Sequence, residues 1–169
     1  MIRKAVMSEL DAILEIYAYA RSFMAKNGNP TQWGKVTPKK ELLIDDINQG
    51  KLYVVDEDNC LQGVFFFNVG EDPTYKVITQ GEWLSDEPYG VIHRIASAGK
   101  KKGVLKTCID FCLEKTNHLR IDTHENNTVM HHLLTKYGFS KRGIIILESK
   151  DERIAYEYIK TERGNYNET

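Results

Sequence analysis

The sequence lacks the features that mark secreted, membrane-spanning and strongly charged proteins. Its 169 residues include three cysteines and carry a formal net charge of -1. An odd, small number of cysteines without a secretory signal favours a reducing, cytoplasmic setting. No apolar run approaches the roughly 18 residues that span a bilayer, so no membrane association is expected. The near-neutral charge argues against nucleic acid as a partner.

Metal chemistry finds little support in the residue pattern. Five histidines are present, but no His/Cys pair has a familiar metal-ligand spacing. His131 and His132 are neighbours on a predicted helix and point apart. Cys108 and Cys112 share an apolar helix face, which favours plain core packing. We therefore predict no metal site.

The composition is that of one soluble globular domain spanning residues 1–169. Hydrophobic residues make up 41% and charged residues 28%, enough for one core of ordinary size. The apolar spacing predicts the order strand, two helices, hairpin, irregular segment, strand, helix, strand, helix and closing strand pair. Ser8 is expected to cap the first helix, Thr37-Pro38 to begin the second, and the third to span 103–117. This order indicates a mixed sheet with helices on both faces.

A basic turn follows the strongest predicted strand, 89–98. The turn reads Gly99-Lys100-Lys101-Lys102-Gly103 and opens a helix. The first N–H groups of a helix have no internal partner, and its dipole places partial positive charge there. With glycines that allow close backbone approach, such an end suits a pyrophosphate. The alternative is a solvated lysine turn, and the patterns of nucleotide hydrolases and dinucleotide folds are missing.

The strand, turn and helix resemble the acetyl-CoA-binding motif of the GNAT acetyltransferases, in which a central strand feeds an Arg/Gln-x-x-Gly-x-Gly/Ala turn. The segment 127–139 is similar to the second motif of that family, an asparagine opening a helix that ends in a hydrophobic-Gly-Phe signature. The order of the elements also matches, so the resemblance covers nearly the whole chain. Gln32-Trp33, His93-Arg94 and Asp122-Thr123-His124 look like a bacterial subgroup of uncertain substrate.

The resemblance implies a fold and an activity. The fold would be α/β (α+β), with a mixed, mostly antiparallel sheet of six to seven strands and four helices on both faces. The activity would be transfer of an acetyl group from acetyl-CoA to a primary amine of a small molecule or protein. A non-catalytic acyl-CoA-binding or regulatory domain is the alternative. Whether the chain forms a homodimer stays open.

The resemblance also implies roles in binding the donor. Backbone groups of Ile95, Ala96 and Ser97 would meet the pantetheine arm, and Asn127 would approach the pantetheine or the leaving thiol. The pyrophosphate would be held by Lys100, Lys101, Lys102, Gly103 and Val104.

Three positions depart from the family pattern. Lys100 replaces the usual Arg or Gln, and Leu105 replaces a Gly or Ala. Leu134 stands where the family often has a general-acid tyrosine. Tyr137, beside Gly138, is misplaced for that role and is expected in the core.

Candidate catalytic groups lie on two predicted strands. His93 is a candidate base, expected in register with Ile95 and Ser97 and opposite Arg94. Asp122 and His124 share a register near the C-terminal end of the next strand, where a carboxylate can orient an imidazole. The alternatives are a half-buried structural histidine and a strand-end pair or helix cap.

The acceptor side has two candidates. Gln32 and Trp33 lie in the loop between the first two helices, which borders the acceptor site in the family. Trp33 would form a wall of that site or simply pack.

Overall fold

The helices and strands follow the predicted order. The computed structural model describes residues 1–161 and 164–165. The helices are α1 (Leu10–Lys26), α2 (Lys40–Asn48), α3 (Val104–Leu113) and α4 (Thr128–Lys136). The strands are β1 (Ile2–Lys4), β2 (Leu52–Glu57), β3 (Cys60–Val69), β4 (Gly90–Ser97), β5 (His118–Thr123), β6 (Ser140–Ile146), β7 (Glu152–Thr161) and the two-residue β8 (Gly164–Asn165). None of the helices in this described part is long and apolar enough to cross a bilayer.

The seven main strands form a mixed, mostly antiparallel sheet. Strands β1 and β2, β2 and β3, β5 and β7, and β6 and β7 pair antiparallel, whereas β4 and β5 pair parallel. The predicted fold class, with four helices, is therefore confirmed. The chain forms two compact units, 1–67 with 92–111 and 68–91 with 112–169. The first contains the strand order β1-β2-β3-β4 and the second β4-β5-β7-β6.

Helices cover both faces of the sheet in the first unit. The apolar stripe of α1 packs with α2 on the face that carries Leu52, Val54 and Val64. Adjacent side chains of a strand point to opposite faces. Tyr53 accordingly lies on the other face, where its ring centroid is 5.3 Å from that of Phe111 on α3. Both faces therefore contribute apolar burial, the main stabilising term of the fold.

A buried ion pair links α2 to β4 in this unit. Asp46 is 3% exposed, and its Oδ2 accepts from Nε and Nη2 of Arg94 at 3.0 and 2.9 Å. The guanidinium carbon also lies 4.5 Å from the ring centre of Phe66. Burial raises the pKa of Asp46, although Arg94 opposes this effect. The predicted pairing of Arg94 with a carboxylate is confirmed.

A second buried charge cluster organises the other unit. Glu157 on β7 is fully buried and bonds to His118 and Arg120 of β5. The Arg120 guanidinium lies about 4 Å from the rings of both Trp83 and Tyr89. Residues 83–85 belong to the segment 71–87, which the sequence predicts to be irregular or weakly stranded. They are held by the contact of Trp83 with Arg120, by the hydrogen bond from the Leu84 N–H to Glu157, and by that from Arg120 to the Ser85 carbonyl.

Three predicted helix boundaries are wrong. Ser8 caps nothing, because residues 7–9 form a 3-10 turn in which the Glu9 carboxylate accepts from the Val6 N–H. Helix α2 begins at Lys40, since Lys39 is still extended. Helix α3 ends at Leu113, since the chain must extend to pair β5 with β7.

Two predicted core cysteines are confirmed as core residues. Cys108 and Cys112 are both fully buried. Burial raises the pKa of the Cys108 thiol, which keeps it protonated and unreactive.

Replacing Asp46 by alanine should destabilise the protein markedly. The change leaves the Arg94 guanidinium largely buried without its carboxylate, which costs about 3–5 kcal/mol in the free energy of unfolding. Urea unfolding measures the loss. Asp45→Ala is the matched control, because Asp45 is exposed on the same helix. Equal losses in the two variants would contradict this account of the pair.

Candidate functional site

Strand β4 contains a backbone irregularity at Arg94. This residue has a φ of 51°, a left-handed value that costs a non-glycine residue about 1 kcal/mol or more. The rings of His93 and Phe66 lie 5.7 Å apart, and Arg94 also contacts Phe66. Two consecutive side chains therefore meet the same ring. The predicted strict alternation, with Arg94 opposite His93, is wrong.

The irregularity also changes the register of His93. Ala96 is buried in the core cluster against which Phe66 packs. By alternation from Ala96, Ile95 and Ser97 point to the other face of the strand. His93, which contacts Phe66, therefore does not share a face with Ile95 and Ser97 as predicted. Its role as a base remains a prediction.

Tyr17 of α1 contacts β4 at Arg94, where the strand is irregular. Its hydroxyl donates to the Arg94 carbonyl at 2.7 Å, and burial raises the pKa of Tyr17 so that the hydroxyl keeps its proton. Trp33 packs edge-on against the Tyr17 ring at 5.6 Å between ring centres. Gln32 accepts a hydrogen bond from Asn29 at 2.8 Å. The loop that contains Gln32 and Trp33 therefore packs against Tyr17, which in turn contacts β4.

Strand β4 is longer than the stretch that pairs with β5. The register with β5 covers Gly90 and Val91, whereas β4 continues to Ser97. In this later part Ala96 is buried, while Ile95 and Ser97 are partly exposed. The Ser97 hydroxyl accepts from the Gly99 N–H at 3.1 Å, which fixes the entry into the basic turn.

The basic turn needs glycine at both ends. Gly99 and Gly103 have φ values of 76° and 79°, a conformation that disfavours residues with a side chain. The Thr107 N–H donates to the Gly103 carbonyl at 3.1 Å, so α3 begins directly after Gly103. The N–H groups of the first turn of this helix are those without internal partners. The turn therefore presents donors of the kind that bind phosphate.

The departure at Leu105 leaves this arrangement intact. Leu105 is 7% exposed and Val104 is 5% exposed. Both side chains are therefore buried in the protein interior. A leucine in place of glycine or alanine does not cover the helix start in this structure.

Two of the three lysines of the turn contact the β2–β3 hairpin. Lys101 forms an ion pair with Glu57, and Nζ of Lys100 lies 3.6 Å from Sγ of Cys60. Lys102 is exposed. The lysine charge is thus partly compensated by a carboxylate of the protein itself.

Asp122 in the second unit is held by a tyrosine. The hydroxyl of Tyr75 donates to Oδ2 of Asp122 at 2.6 Å. Tyr75 is 1% exposed, and its backbone carbonyl accepts from Nε1 of Trp83 at 2.9 Å. Burial, followed by the charge of Asp122, raises the pKa of Tyr75, so this hydroxyl stays a donor.

His124 follows the end of β5 and is a neutral imidazole. Its Nδ1 accepts from the Asn126 N–H at 3.0 Å, so the ring hydrogen resides on Nε2. Burial, followed by the charge of Arg153, lowers the pKa of His124 below its ordinary 6.5. To act as a base, the ring has to accept a proton at Nδ1, which then releases the Asn126 N–H. The pairing of His124 with Asp122 stays a prediction.

The turn between β5 and α4 is fixed by hydrogen bonds. His131 accepts at Nδ1 from the Tyr156 hydroxyl at 2.6 Å and donates from Nε2 to the His124 carbonyl at 3.0 Å. Asn127 caps α4, because its Oδ1 accepts from the Met130 N–H at 3.1 Å. Asn127 thus has a structural role, whatever it binds.

A core leucine occupies the position at which the family often has a tyrosine. Leu134 is fully buried and offers no proton donor. Tyr137 is the C-cap of α4 and is partly exposed, with Nζ of Lys136 5.8 Å from its ring centre. The expectation that Tyr137 lies in the core is therefore only partly met.

Sequence reasoning missed the residues that hold the candidates in place. In the sequence, Tyr17 is one of several apolar residues at helical spacing, and Tyr75 lies in the segment expected to be irregular. Tyr17 lies 77 positions from Arg94, and Tyr75 lies 47 positions from Asp122. No local pattern reports contacts over such separations.

Comparison with known proteins identifies the fold and the family. No family model and no curated protein matches the sequence. A GNAT-family acetyltransferase structure from Streptococcus agalactiae 2603 is 32% identical over 96% of both chains, with a TM-score of 0.86. A ribosomal-protein-alanine N-acetyltransferase from Brucella melitensis is 14% identical over 94% of this chain and 99% of its own, with a TM-score of 0.58. The NatC complex bound to Gag peptide and CoA is 12% identical over 95% and 98%, with a TM-score of 0.58.

The last two likenesses, below 25% identity, show the fold alone. The first extends over nearly the full length of both proteins at an identity that marks a common family. The resemblance seen in the strand, the basic turn and the segment 127–139 is therefore confirmed, and the chain belongs to the GNAT family of acetyltransferases.

Proposed function

We propose that this protein is an N-acetyltransferase that moves an acetyl group from acetyl-CoA to a primary amine of a small molecule or protein. One observation carries the proposal: the turn from Gly99 to Gly103 opens α3 with two left-handed glycines and three lysines. Membership of the GNAT family supports it. Among proteins of the same fold, one is named for N-acetylation and another is described with CoA bound.

The segment 94–104, called the donor segment below, has residues that fit coenzyme A. The pyrophosphate of CoA is a dianion, which matches the N–H groups at the start of α3 and the charges of Lys100, Lys101 and Lys102. Gly103 and Val104 supply backbone rather than side chains to this end. Ile95, Ala96 and Ser97 supply the backbone of a strand, which can bind the amide-containing pantetheine arm as an added strand would be bound.

The chemistry asks little of the protein. Acetyl-CoA supplies a thioester, whose C–S bond breaks as the amine nitrogen forms a C–N bond, with the amine proton passing to a base and the thiolate taking a proton. The protein has to position the two substrates and handle those protons. His93, Asp122 and His124 are the proposed groups for this task, and Asn127 is the proposed contact of the leaving thiol. Gln32 and Trp33 are proposed to bind the acceptor.

The proposal extends to the cellular environment and the oligomeric state of the protein. None of the three cysteines forms a disulfide within the described residues, which supports a reducing, cytoplasmic environment. The chain is proposed to act as one domain, and a homodimer remains a hypothesis. An amine screen with thiol detection identifies the acceptor, and acceptor-dependent release of CoA excludes a purely binding role.

Acetyl-CoA should raise the melting temperature, and the lysines of the turn should be needed for this. Ligand at 100 times its dissociation constant adds about 2.7 kcal/mol, or roughly 5–10 °C for a chain of this size. Lys100→Glu with Lys102→Glu should remove most of the shift in a thermal melt. Lys141→Glu with Lys150→Glu makes the same charge change at exposed sites outside the turn and should retain it. No shift in the wild-type protein at millimolar acetyl-CoA would refute the proposed donor.

Releasing Lys101 from Glu57 should strengthen binding of acetyl-CoA. Glu57 competes with phosphate for Lys101, and exposed pairs of this kind are worth about 0.2–1 kcal/mol. Glu57→Gln should therefore lower the dissociation constant about 1.4- to fivefold, as measured by calorimetry. Asp58→Asn on the same hairpin is the control, because Asp58 is exposed and forms no ion pair with a lysine in the part of the chain that the structure describes. An equal gain in both variants would point to net charge alone.

Removing the His124 imidazole should reduce turnover and leave donor binding intact. His124→Ala should lower kcat about 100-fold, a typical loss for a group that handles protons, with the acetyl-CoA dissociation constant within about twofold. His132→Ala, an exposed histidine on α4, should behave as wild type.

The pH profile gives an independent check on His124. Because its pKa is lowered from 6.5, the neutral ring persists at pH 7 and is lost only as the pH falls further. The acid limb of kcat should therefore have its midpoint below pH 6.5 and should be absent from His124→Ala. Unchanged kcat and an unchanged acid limb in His124→Ala would remove it from the catalytic candidates.

A further inference from the structure

Tyr19 of α1 lies directly against the basic turn. A Cβ built on Gly99 would lie 2.3 Å from both Cζ and Oη of Tyr19, far closer than real Cβ contacts. The ring and the turn can touch in this way only because residue 99 has no side chain. Glycine is therefore required at position 99 for two reasons: the backbone has a φ of 76°, and the ring of Tyr19 occupies the space of a side chain.

The core does not account for the position of Tyr19. The buried residues of α1 are Leu10, Ile13, Ile16, Tyr17 and Ala20. Tyr19 is 47% exposed, and its ring stacks at 6.5 Å on Phe23, which is 43% exposed. A single exposed aromatic residue is ordinary on a protein surface. Its contact with the backbone of Gly99 is the informative feature.

Helix α1 thus contacts the donor segment at two points. Tyr17 donates its hydroxyl proton to the Arg94 carbonyl, where β4 is irregular. Tyr19 contacts Gly99, five positions further along the chain. Between the two contacts lie Ile95, Ala96 and Ser97, the strand residues proposed to meet the pantetheine arm. The helix fixes both ends of this stretch.

We propose that Tyr19 is a positioning residue for the donor pyrophosphate. Its ring limits the conformations of Gly99 and so holds the turn in the form in which the N–H groups at the start of α3 bind phosphate. Restricting a flexible turn before binding increases affinity because less conformational entropy is lost on binding. The inference rests on the proposed function and concerns one part of the donor, its phosphates.

The dissociation constants of two thioesters distinguish this role from a general structural one. S-acetylpantetheine has the thioester and the pantetheine arm of acetyl-CoA and lacks the pyrophosphate. Tyr19→Ala should raise the dissociation constant of acetyl-CoA about five- to tenfold and that of S-acetylpantetheine less than twofold. Tyr19→Phe keeps the ring and should match wild type for both. NMR titration measures both constants, including weak ones, and Phe23→Ala serves as the control on the same helix face.

Each contrary result has a distinct meaning. An equal loss for both thioesters in Tyr19→Ala, or no loss, overturns the inference and leaves the proposed function standing. A loss in Tyr19→Phe equal to that in Tyr19→Ala also overturns it, because the hydroxyl would then bind the ligand directly. A wild-type protein that binds neither thioester overturns the proposed function, and this inference falls with it. Thermal melts establish that each variant is folded.

Discussion

The ion pair between Asp46 and Arg94 is the interaction on which the donor segment depends. Arg94 adopts a left-handed backbone conformation inside a strand, which costs about 1 kcal/mol or more. The buried carboxylate, the ring of Phe66 and the hydroxyl of Tyr17 together offset that cost. Because strained backbone persists only where its surroundings enforce it, these contacts mark the point at which β4 stops being an ordinary strand.

From that point the chain leads through Ser97 into the turn. Two kinds of positive charge meet there. The N–H groups at the start of α3 are fixed by the helix, whereas the lysine charges lie at the ends of long side chains, two of which contact Glu57 and Cys60. In a protein of net charge -1, the fixed donors provide direction and the lysines provide attraction that salt weakens. The backbone therefore defines where phosphate would bind.

Much of this was predictable from the sequence, because the signals are local. The two glycines of the turn, the helix that follows and the asparagine cap of α4 each lie within a few residues of what they control. The irregularity at Arg94 gave no such signal, since arginine is not a residue that favours left-handed backbone. The alternation expected for His93, Ile95 and Ser97 failed for this reason. Contacts such as Tyr17 with Arg94 and Tyr75 with Asp122 depend on tertiary packing and leave no pattern in the chain.

The most direct test of the donor site is an amide NMR titration with CoA, which has no acetyl group to transfer. The account predicts the largest shifts at the N–H groups of Gly99, Gly103 and Val104. Gly28 and Gly138, which follow other helices, should be unaffected. Saturable binding with the largest shifts elsewhere, and with Gly99, Gly103 and Val104 unchanged, would contradict the central claim.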